Sequence, residues 1–220
     1  ENFRRFTENS LKRLNIDVLD LTQLHCIPTE LMESGEAFEW LRVLQKEGKI
    51  KKFGASVESI SEAQTCLKQD GLASLQIIFN IFRQKPITQL FDDAKTKGVS
   101  LIVRLPLASG LLGGKLNPNG SFPKNDHRTF NSDGQCFNVG ETFAGIPFNI
   151  GLDIVEELIK MIPEGMTLAQ MSLRWILDFD AVTVVIPGSK SPLQIPDNAS
   201  ASHLPSLSKS LHEKLSIFYD

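Results

Sequence analysis

Five short apolar segments, each followed by an amphipathic stretch, are the feature that most constrains the fold of this chain. The clearest is residues 16–25, Ile-Asp-Val-Leu-Asp-Leu-Thr-Gln-Leu-His. Its content of leucine and β-branched residues is typical of a buried parallel strand. Repeated alternation of strand and helix predicts an α/β fold with a parallel sheet, either open or closed into a barrel. Chemistry in such folds lies where strands end, so His25 is a candidate site residue.

The pattern predicts strands at residues 17–24, 50–56, 74–80, 99–105 and 181–186. It predicts helices at residues 3–14, 34–48, 59–69, 86–97, 150–161, 167–179, 191–201 and 206–218, two of them capped by Ser59 and Thr167. Between them, residues 106–149 show no periodicity and contain many glycines and prolines, which is typical of a lid or binding loop. We treat residues 1–220 as one partial domain that carries this long loop.

Five strands cannot close a barrel that needs eight. We therefore expect that three strands are missing on the N-terminal side, or that another chain covers the gap. The first residue is Glu1 rather than Met, and a helical pattern starts at once, so we expect that a further segment precedes it.

Composition excludes several classes of function. A net charge of −3 predicts no general attraction to nucleic acid or to acidic membranes. We find no run of about 18 apolar residues and no secretory leader, so we expect neither a membrane span nor export. Cys26, Cys66 and Cys136 lack metal-ligand spacing and favour a reducing, cytoplasmic compartment.

Polar residues near the ends of predicted strands are the first candidates for chemistry. An imidazole at His25 can donate a hydrogen bond to a carbonyl or act as an acid or base; the alternative is a histidine satisfied by neighbouring backbone. Ser56 can bind a ligand amide. The amide of Gln76, in a buried strand, must be satisfied by a ligand or by neighbours.

Two later segments add charged groups. Arg104 ends an apolar strand and needs a phosphate, a carboxylate or a flat ring as its partner; the alternative is a surface loop with an internally paired arginine. After the fifth strand, Ser189 and Lys190 form a turn before a predicted helix. A hydroxyl, a lysine and free helix N–H groups predict an anion site, and a simple capped turn is the alternative.

Four segments, taken in chain order, resemble the aldo-keto reductase family. The first contains Ser-Leu-Lys-Arg-Leu, Asp-Val-Leu-Asp-Leu and Leu-His (residues 10–25), and the second is Gly-Lys-Ile-Lys followed by Gly-Ala-Ser (48–56). The third is Pro-Leu-Ala-Ser-Gly-Leu-Leu with Gly-Lys (106–115), and the fourth is Ile-Pro-Gly-Ser continuing to an asparagine (186–198). One such match would be weak, but four in order are specific.

The resemblance implies the last five strands of a (β/α)8 TIM barrel that reduces aldehydes or ketones without a metal, with NADPH as the cofactor and NADH as the alternative. His25 matches the histidine that orients the substrate carbonyl. The implied cofactor contacts fall into groups around the nicotinamide (Ser56, Gln76, Arg104), the pyrophosphate (Leu105, Leu107, Ser109) and the adenosine phosphate with adenine (Gly188, Ser189, Lys190, Gln194, Asn198). Two positions depart from the family: Val57 replaces a frequent asparagine, and Gln194 replaces a frequent arginine.

The resemblance also implies a tyrosine as the proton donor, contributed by the first three barrel strands. The one tyrosine of this chain, Tyr219, matches no catalytic position. We therefore expect part of a reductase that is inactive by itself. A non-catalytic nucleotide-binding or regulatory module on the same barrel and a truncated product without function are the alternatives. Five phenylalanines of the long loop line a substrate pocket or, as we prefer, pin the loop down (Phe122, Phe130, Phe137, Phe143, Phe148).

Overall fold

Five strands and eleven α-helices follow one another along residues 2–218, the part of the chain that the computed structural model describes. The strands are β1 Leu19–His25, β2 Ile50–Ser56, β3 Leu72–Ile78, β4 Ser100–Arg104 and β5 Val182–Val185. The helices are α1 Asn2–Leu14, α2 Thr29–Ser34, α3 Glu36–Lys46, α4 Ile60–Cys66, α5 Pro86–Gln89, α6 Phe91–Thr96, α7 His127–Phe130, α8 Phe148–Ile159, α9 Leu168–Leu177, α10 Gln194–Ser200 and α11 Lys209–Ser216.

The strands belong to one sheet with the order β1-β2-β3-β4-β5, which is also their order in the chain. The pairs β1–β2 and β2–β3 are parallel. The prediction of five parallel strands with interleaved helices is therefore confirmed.

The chain divides into two compact units, one of residues 1–77 and 87–101 and one of residues 78–86 and 102–220. In the first unit, α3 packs its apolar face on β2, and the buried rings of Phe38 and Phe53 lie 6.4 Å apart. In the second unit, Trp175 of α9 stacks on Phe79 and meets Phe179 edge-on, each at 5.0 Å. The organisation of residues 1–220 as a single domain stays a prediction.

Local signals explain where the helices begin. Ser59 and Glu62 form a reciprocal capping box at α4, and Thr167 and Gln170 form another at α9. Both caps were predicted from the sequence. The helix predicted at residues 34–48 is confirmed as α3, but it begins only at Glu36, because Gly35 adopts a left-handed conformation with φ of 73° and separates α3 from α2, a short helix that the sequence did not predict.

Apolar side chains are exposed on α1 and on β1, which is an outer strand of the sheet. Phe6 and Leu14 are 59% and 60% exposed, and Leu21 of β1 is 38% exposed. Isolated exposed apolar residues are normal in proteins, but these belong to neighbouring segments of one unit. None of the described helices combines the length and the hydropathy that crossing a bilayer requires.

Candidate functional site

Three residues that the sequence assigns to a site lie side by side near the carboxyl ends of three neighbouring strands. His25 stands opposite Ser56 in the register of β1 with β2. Ser56 stands opposite Gln76 in the register of β2 with β3. Neighbouring strands are about 4.8 Å apart. An imidazole, a hydroxyl and an amide therefore form one row, which we call the polar row (His25, Ser56, Gln76).

A β-bulge in β3 decides which residue of that strand joins the polar row. The pairing of β2 with β3 shifts between Phe53 and Gly54, where β3 carries one extra residue, Ala73. An extra residue reverses the alternation of side chains beyond it. Without the bulge, Leu75 would stand where Gln76 now stands, and the row would end in an apolar side chain.

His25 has an exposed side chain and precedes a residue with an unusual backbone. Cys26 has a φ of 49°, in the left-handed region that costs a residue other than glycine about 1 kcal/mol. Its N–H donates to the carbonyl oxygen of Ser56 over 3.0 Å, which holds this turn against β2. The Sγ atom of Cys26 lies 3.9 Å from the hydroxyl of Ser56, which is itself buried.

The amide of Gln76 has a neighbouring side chain as its partner. Its Nε2 donates to Oε1 of Gln23 over 2.9 Å, and Nε2 of Gln23 donates to the hydroxyl of Ser74 over 3.2 Å. Gln76 is half-buried, and within residues 2–218 no hydrogen bond to its Oε1 is found. Of the two possibilities left by the sequence, the structure supplies a neighbour for Nε2, and a ligand contact of Oε1 stays a prediction.

Arg104 at the end of β4 is paired within the second unit. Its guanidinium forms an ion pair with the carboxylate of Glu141, and the two side chains are only 10% and 18% exposed. A buried charge needs such compensation. The carboxylate comes from the long loop, as the internally paired alternative requires. A contact of Arg104 with a cofactor stays a prediction.

The loop after β4 contains three non-glycine residues in the left-handed region. They are Leu105, Ala108 and Ser109, with φ of 52°, 46° and 55°. Asn80, which is fully buried, donates from Nδ2 to the carbonyl oxygen of Leu105 over 2.9 Å and accepts from the N–H of Phe82 over 3.0 Å. Strained backbone of this kind persists where surrounding contacts hold it, and it is concentrated at functional sites.

The hydroxyl of Ser109 joins this strained loop to the rest of the long loop. It donates to the carbonyl oxygen of Glu141 over 3.0 Å and accepts from the N–H of Phe143 over 3.1 Å. Nε2 of His127 lies 3.4 Å away. The predicted contacts of Leu107 and Ser109 with a pyrophosphate are not tested by these bonds.

The long loop is stabilised by contacts of its own. Arg128 binds Asp126 through its side chain and its backbone N–H, which lowers the pKa of Asp126 to about 2. The guanidinium of Arg128 also lies 4.1 Å from the ring centroid of Phe122. The rings of Phe122, Phe143 and Phe148 lie within 5.0 to 5.9 Å of one another. These contacts favour the interpretation that the phenylalanines hold the loop in place.

The segment after β5 brings its polar residues together in two pairs. Nδ2 of Asn198 donates to the hydroxyl of Ser189 over 3.1 Å, and the N–H of Lys190 donates to Oε1 of Gln194 over 2.8 Å. Gly188, Ser189 and Lys190 are exposed. The predicted helix start at residue 191 is wrong, because α10 begins at Gln194 and the residues before it form a turn.

Comparison with known proteins decides the family. The profile of the Aldo/keto reductase family matches residues 1–220. The chain belongs to the aldo/keto reductase family. The aldo-keto reductase YhdN of Bacillus subtilis is 30% identical over 190 residues, which are 86% of this chain and 54% of that protein. The aldo-keto reductase str7 of Strobilurus tenacellus is 30% identical over 203 residues, which are 89% of this chain and 56% of that protein.

Solved structures confirm the fold. The glycerol dehydrogenase of Gluconobacter oxydans superposes with a TM-score of 0.77 at 25% identity, over 98% of this chain and 63% of that one. The predicted (β/α)8 architecture is thereby confirmed for the part of the barrel present here. The chain spans about half the length of the curated relatives it matches.

Sequence reasoning missed three residues that support the candidate site. Gln23 is a polar residue in an apolar strand, so the argument that identified Gln76 also applies to it. Asn80 follows β3 in the same way. No local signal identifies Glu141, because its pairing with Arg104 joins residues that are distant in the sequence.

Proposed function

We propose that this chain supplies cofactor-binding and carbonyl-binding residues of an NADPH-dependent oxidoreductase that reduces aldehydes or ketones to alcohols. The observation that carries the proposal is the polar row, in which three residues matched to family positions occupy consecutive strands in register. Membership of the family supports the same reaction class.

The residues present suit the two ends of a nicotinamide dinucleotide. A nicotinamide carboxamide offers one acceptor and two N–H donors, which the hydroxyl of Ser56 and the Oε1 of Gln76 complement. Ser189 and the exposed ammonium of Lys190 suit a phosphate. Because the ammonium of Lys190 suits the additional phosphate of NADPH, we propose NADPH as the preferred cofactor. Because Gln194 stands where an arginine is frequent, we propose NADH as a second ligand.

The side chains of the polar row have two different roles, one toward the substrate and one toward the cofactor. We propose that His25 donates a hydrogen bond to the substrate carbonyl oxygen, which orients the carbonyl and polarises it. Ser56 and Gln76 fix the plane of the carboxamide and thereby of its ring. When bound, the reduced nicotinamide supplies a hydride to the carbonyl carbon.

The family resemblance implies that a tyrosine donates the proton, and none of the four matched segments contains that tyrosine. Tyr219 lies outside the described residues and matches no catalytic position. We therefore propose that residues 1–220 bind the cofactor without turning over. A non-catalytic nucleotide-binding module predicts the same behaviour; preceding sequence with aspartate, tyrosine and lysine at strand ends would favour the reductase.

We also propose a reducing, cytoplasmic compartment for the chain. In the described part of the chain, Cys26, Cys66 and Cys136 form no disulfide. Burial raises the pKa of the Cys66 thiol to about 12, which keeps it protonated and unreactive. This part of the proposal is tested by locating the tagged protein in cells.

A turnover assay tests the assignment of the proton donor. Aldehyde-dependent oxidation of NADPH should be undetectable with residues 1–220. A measured turnover that His25→Ala abolishes would contradict the proposal that the proton donor lies elsewhere, because residues 1–220 would then suffice for the reaction.

Titration of NADPH fluorescence tests the phosphate end. Lys190→Glu should weaken NADPH binding about tenfold, since a carboxylate replaces a cation beside the phosphate. Lys209→Glu is the matched control, because Lys209 is 92% exposed in its side chain and matches no cofactor position. Equal affinities of the native chain and Lys190→Glu would remove the phosphate assignment.

A further inference from the structure

Three polar side chains form a hydrogen-bonded series across β1 and β3, which we call the amide series (Gln76, Gln23, Ser74). Nε2 of Gln76 donates to Oε1 of Gln23 over 2.9 Å. Nε2 of Gln23 in turn donates to Oγ of Ser74 over 3.2 Å. Gln23 thus lies between a predicted ligand contact and a serine that is 3% exposed.

The amide series crosses β2 because the intervening residue has no side chain. Gln23 of β1 pairs with Gly54 of β2, and Gly54 pairs with Ser74 of β3. Gln23, Gly54 and Ser74 therefore lie in one line across the three strands. A Cβ atom on Gly54 would come within 2.2 Å of Oγ and 2.5 Å of the carbonyl oxygen of Ser74. The glycine therefore leaves the space through which Gln23 reaches β3.

The orientation of the Gln76 amide matters for any ligand that carries an amide. A glutamine presents an oxygen acceptor on one side and an NH₂ donor on the other, and rotation about its last bond exchanges them. Gln23 takes a hydrogen of Nε2, so in this arrangement Oε1 of Gln76 is the atom available to a ligand. A carboxamide N–H suits that oxygen, whereas a carbonyl oxygen does not.

We propose that Gln23 is a positioning residue, which holds the Gln76 amide with Oε1 presented to the carboxamide N–H of the cofactor. This inference rests on the proposed function, because it needs a ligand amide at the polar row. It assigns Gln23 a role through another residue, without contact between Gln23 and the cofactor. Selectivity for ligands that carry an N–H group, rather than the overall affinity, is the property that Gln23 controls.

Calorimetric titration with two cofactors tests this role. The first ligand is NADPH, and the second is the reduced analogue in which an acetyl group replaces the carboxamide, so that the N–H donor is lost. We expect Gln23→Leu to weaken NADPH binding about fivefold, the effect of one net hydrogen bond, and to change the affinity for the analogue less than about twofold. Gln23→Glu should restore NADPH binding, because a carboxylate still accepts from Nε2 of Gln76.

A second variant keeps the test valid if Gln23→Leu does not fold, which a thermal melt would show. Ser74→Ala removes the acceptor for Gln23 and is a small change. It should weaken NADPH binding about twofold without affecting the analogue.

Each other outcome contradicts the inference in a distinct way. Equal weakening of both ligands would mean that Gln23 is only structural, and unchanged affinities would mean that it has no role. If the native chain binds NADPH and only the role of Gln23 fails, the proposed function survives. If the native chain binds neither ligand, the proposed function fails and this inference fails with it.

Discussion

The guanidinium of Arg104 and the carboxylate of Glu141 form an ion pair in which both side chains are largely removed from solvent. Arg104 ends β4, whereas Glu141 belongs to the irregular segment 37 residues further on. The pair therefore fastens the long loop to a strand end. Since Ser109 also binds the backbone of Glu141, the strained turn after β4 and the loop are held at one place.

Removing the charge of Glu141 should destabilise the chain. Glu141→Gln keeps the shape of the side chain but removes the negative charge from this buried ion pair, so we expect the free energy of unfolding to fall by about 2 kcal/mol. Urea denaturation measures this. Glu213→Gln is the control, because Glu213 is 67% exposed and its ion pair is 3.9 Å long. Equal effects of the two variants would contradict the importance of the buried pair.

Asn80 should be needed for the conformation of the loop after β4. Asn80→Ala leaves the carbonyl of Leu105 and the N–H of Phe82 without their side-chain partner, and we expect a loss of about 2 kcal/mol in the free energy of unfolding. The measurement is again urea denaturation. Asn149→Ala, at an exposed position of α8, should cost less than about 0.5 kcal/mol. A neutral Asn80→Ala would show that the loop does not depend on this residue.

Gly54 should not tolerate a side chain. The Cβ of Gly54→Ala would meet the backbone oxygen of Ser74 at 2.5 Å, which forces β2 and β3 apart, so we expect a loss of about 2 kcal/mol or more. Gly113→Ala is the control, because a Cβ there meets nothing within 4 Å and needs no positive φ. Thermal melts of both variants check the prediction, and equal melting temperatures would show that the strands adjust without cost.

Asp178 should make the free energy of unfolding fall at acid pH. Burial raises the pKa of Asp178, but hydrogen bonds from His212, Leu207 and Ser206 and the charge of Arg174 outweigh it, so the folded-state pKa lies below the usual 3.8. A depressed carboxyl pKa contributes stability that is present above pH 3.8 and is lost as the pH falls through the folded-state value.

Asp178→Asn tests this linkage. The variant should be about 2 kcal/mol less stable than the native chain near pH 6, and the difference should shrink below pH 3.8. Denaturant titrations at a series of pH values measure it, with exposed Asp153→Asn as the control. A difference that stays constant down to pH 2.5 would contradict the assignment of the shift to Asp178.

Regular elements were predictable because their signals are local. The sequence predicts β2 at residues 50–56, where the structure has it, and it predicts the capping box of Ser59 with Glu62 and the N-cap at Thr167. Strand β3 starts at Leu72 rather than residue 74, because the bulge at Ala73 depends on pairing with β2, which one strand's sequence does not encode.

The positions of the candidate site residues at strand ends could be predicted from the sequence, but their hydrogen-bond and ion-pair partners could not. Ser56 and Gln76 were identified from polarity within apolar runs, and the structure places them opposite each other. Gln23 carries the same signal of polarity within an apolar strand, but its pairing with Gln76 is not readable from the sequence. Glu141 carries no local signal, because its partner Arg104 is distant in the sequence. The conformation of the long loop was not predictable from the sequence, which shows no helical or strand periodicity there. Aromatic contacts stabilise this loop, and several of its residues have left-handed backbone.

The most direct test of the account follows the side-chain amides of the glutamines by NMR while NADPH is added to the chain of 220 residues. The account predicts that the amide signals of Gln76 shift most, that those of Gln23 shift with them, and that those of Gln64, which binds Asp93 and the backbone of Gln89, stay in place. Unmoved signals of Gln76 at a saturating concentration of NADPH would contradict the claim that the polar row binds the nicotinamide.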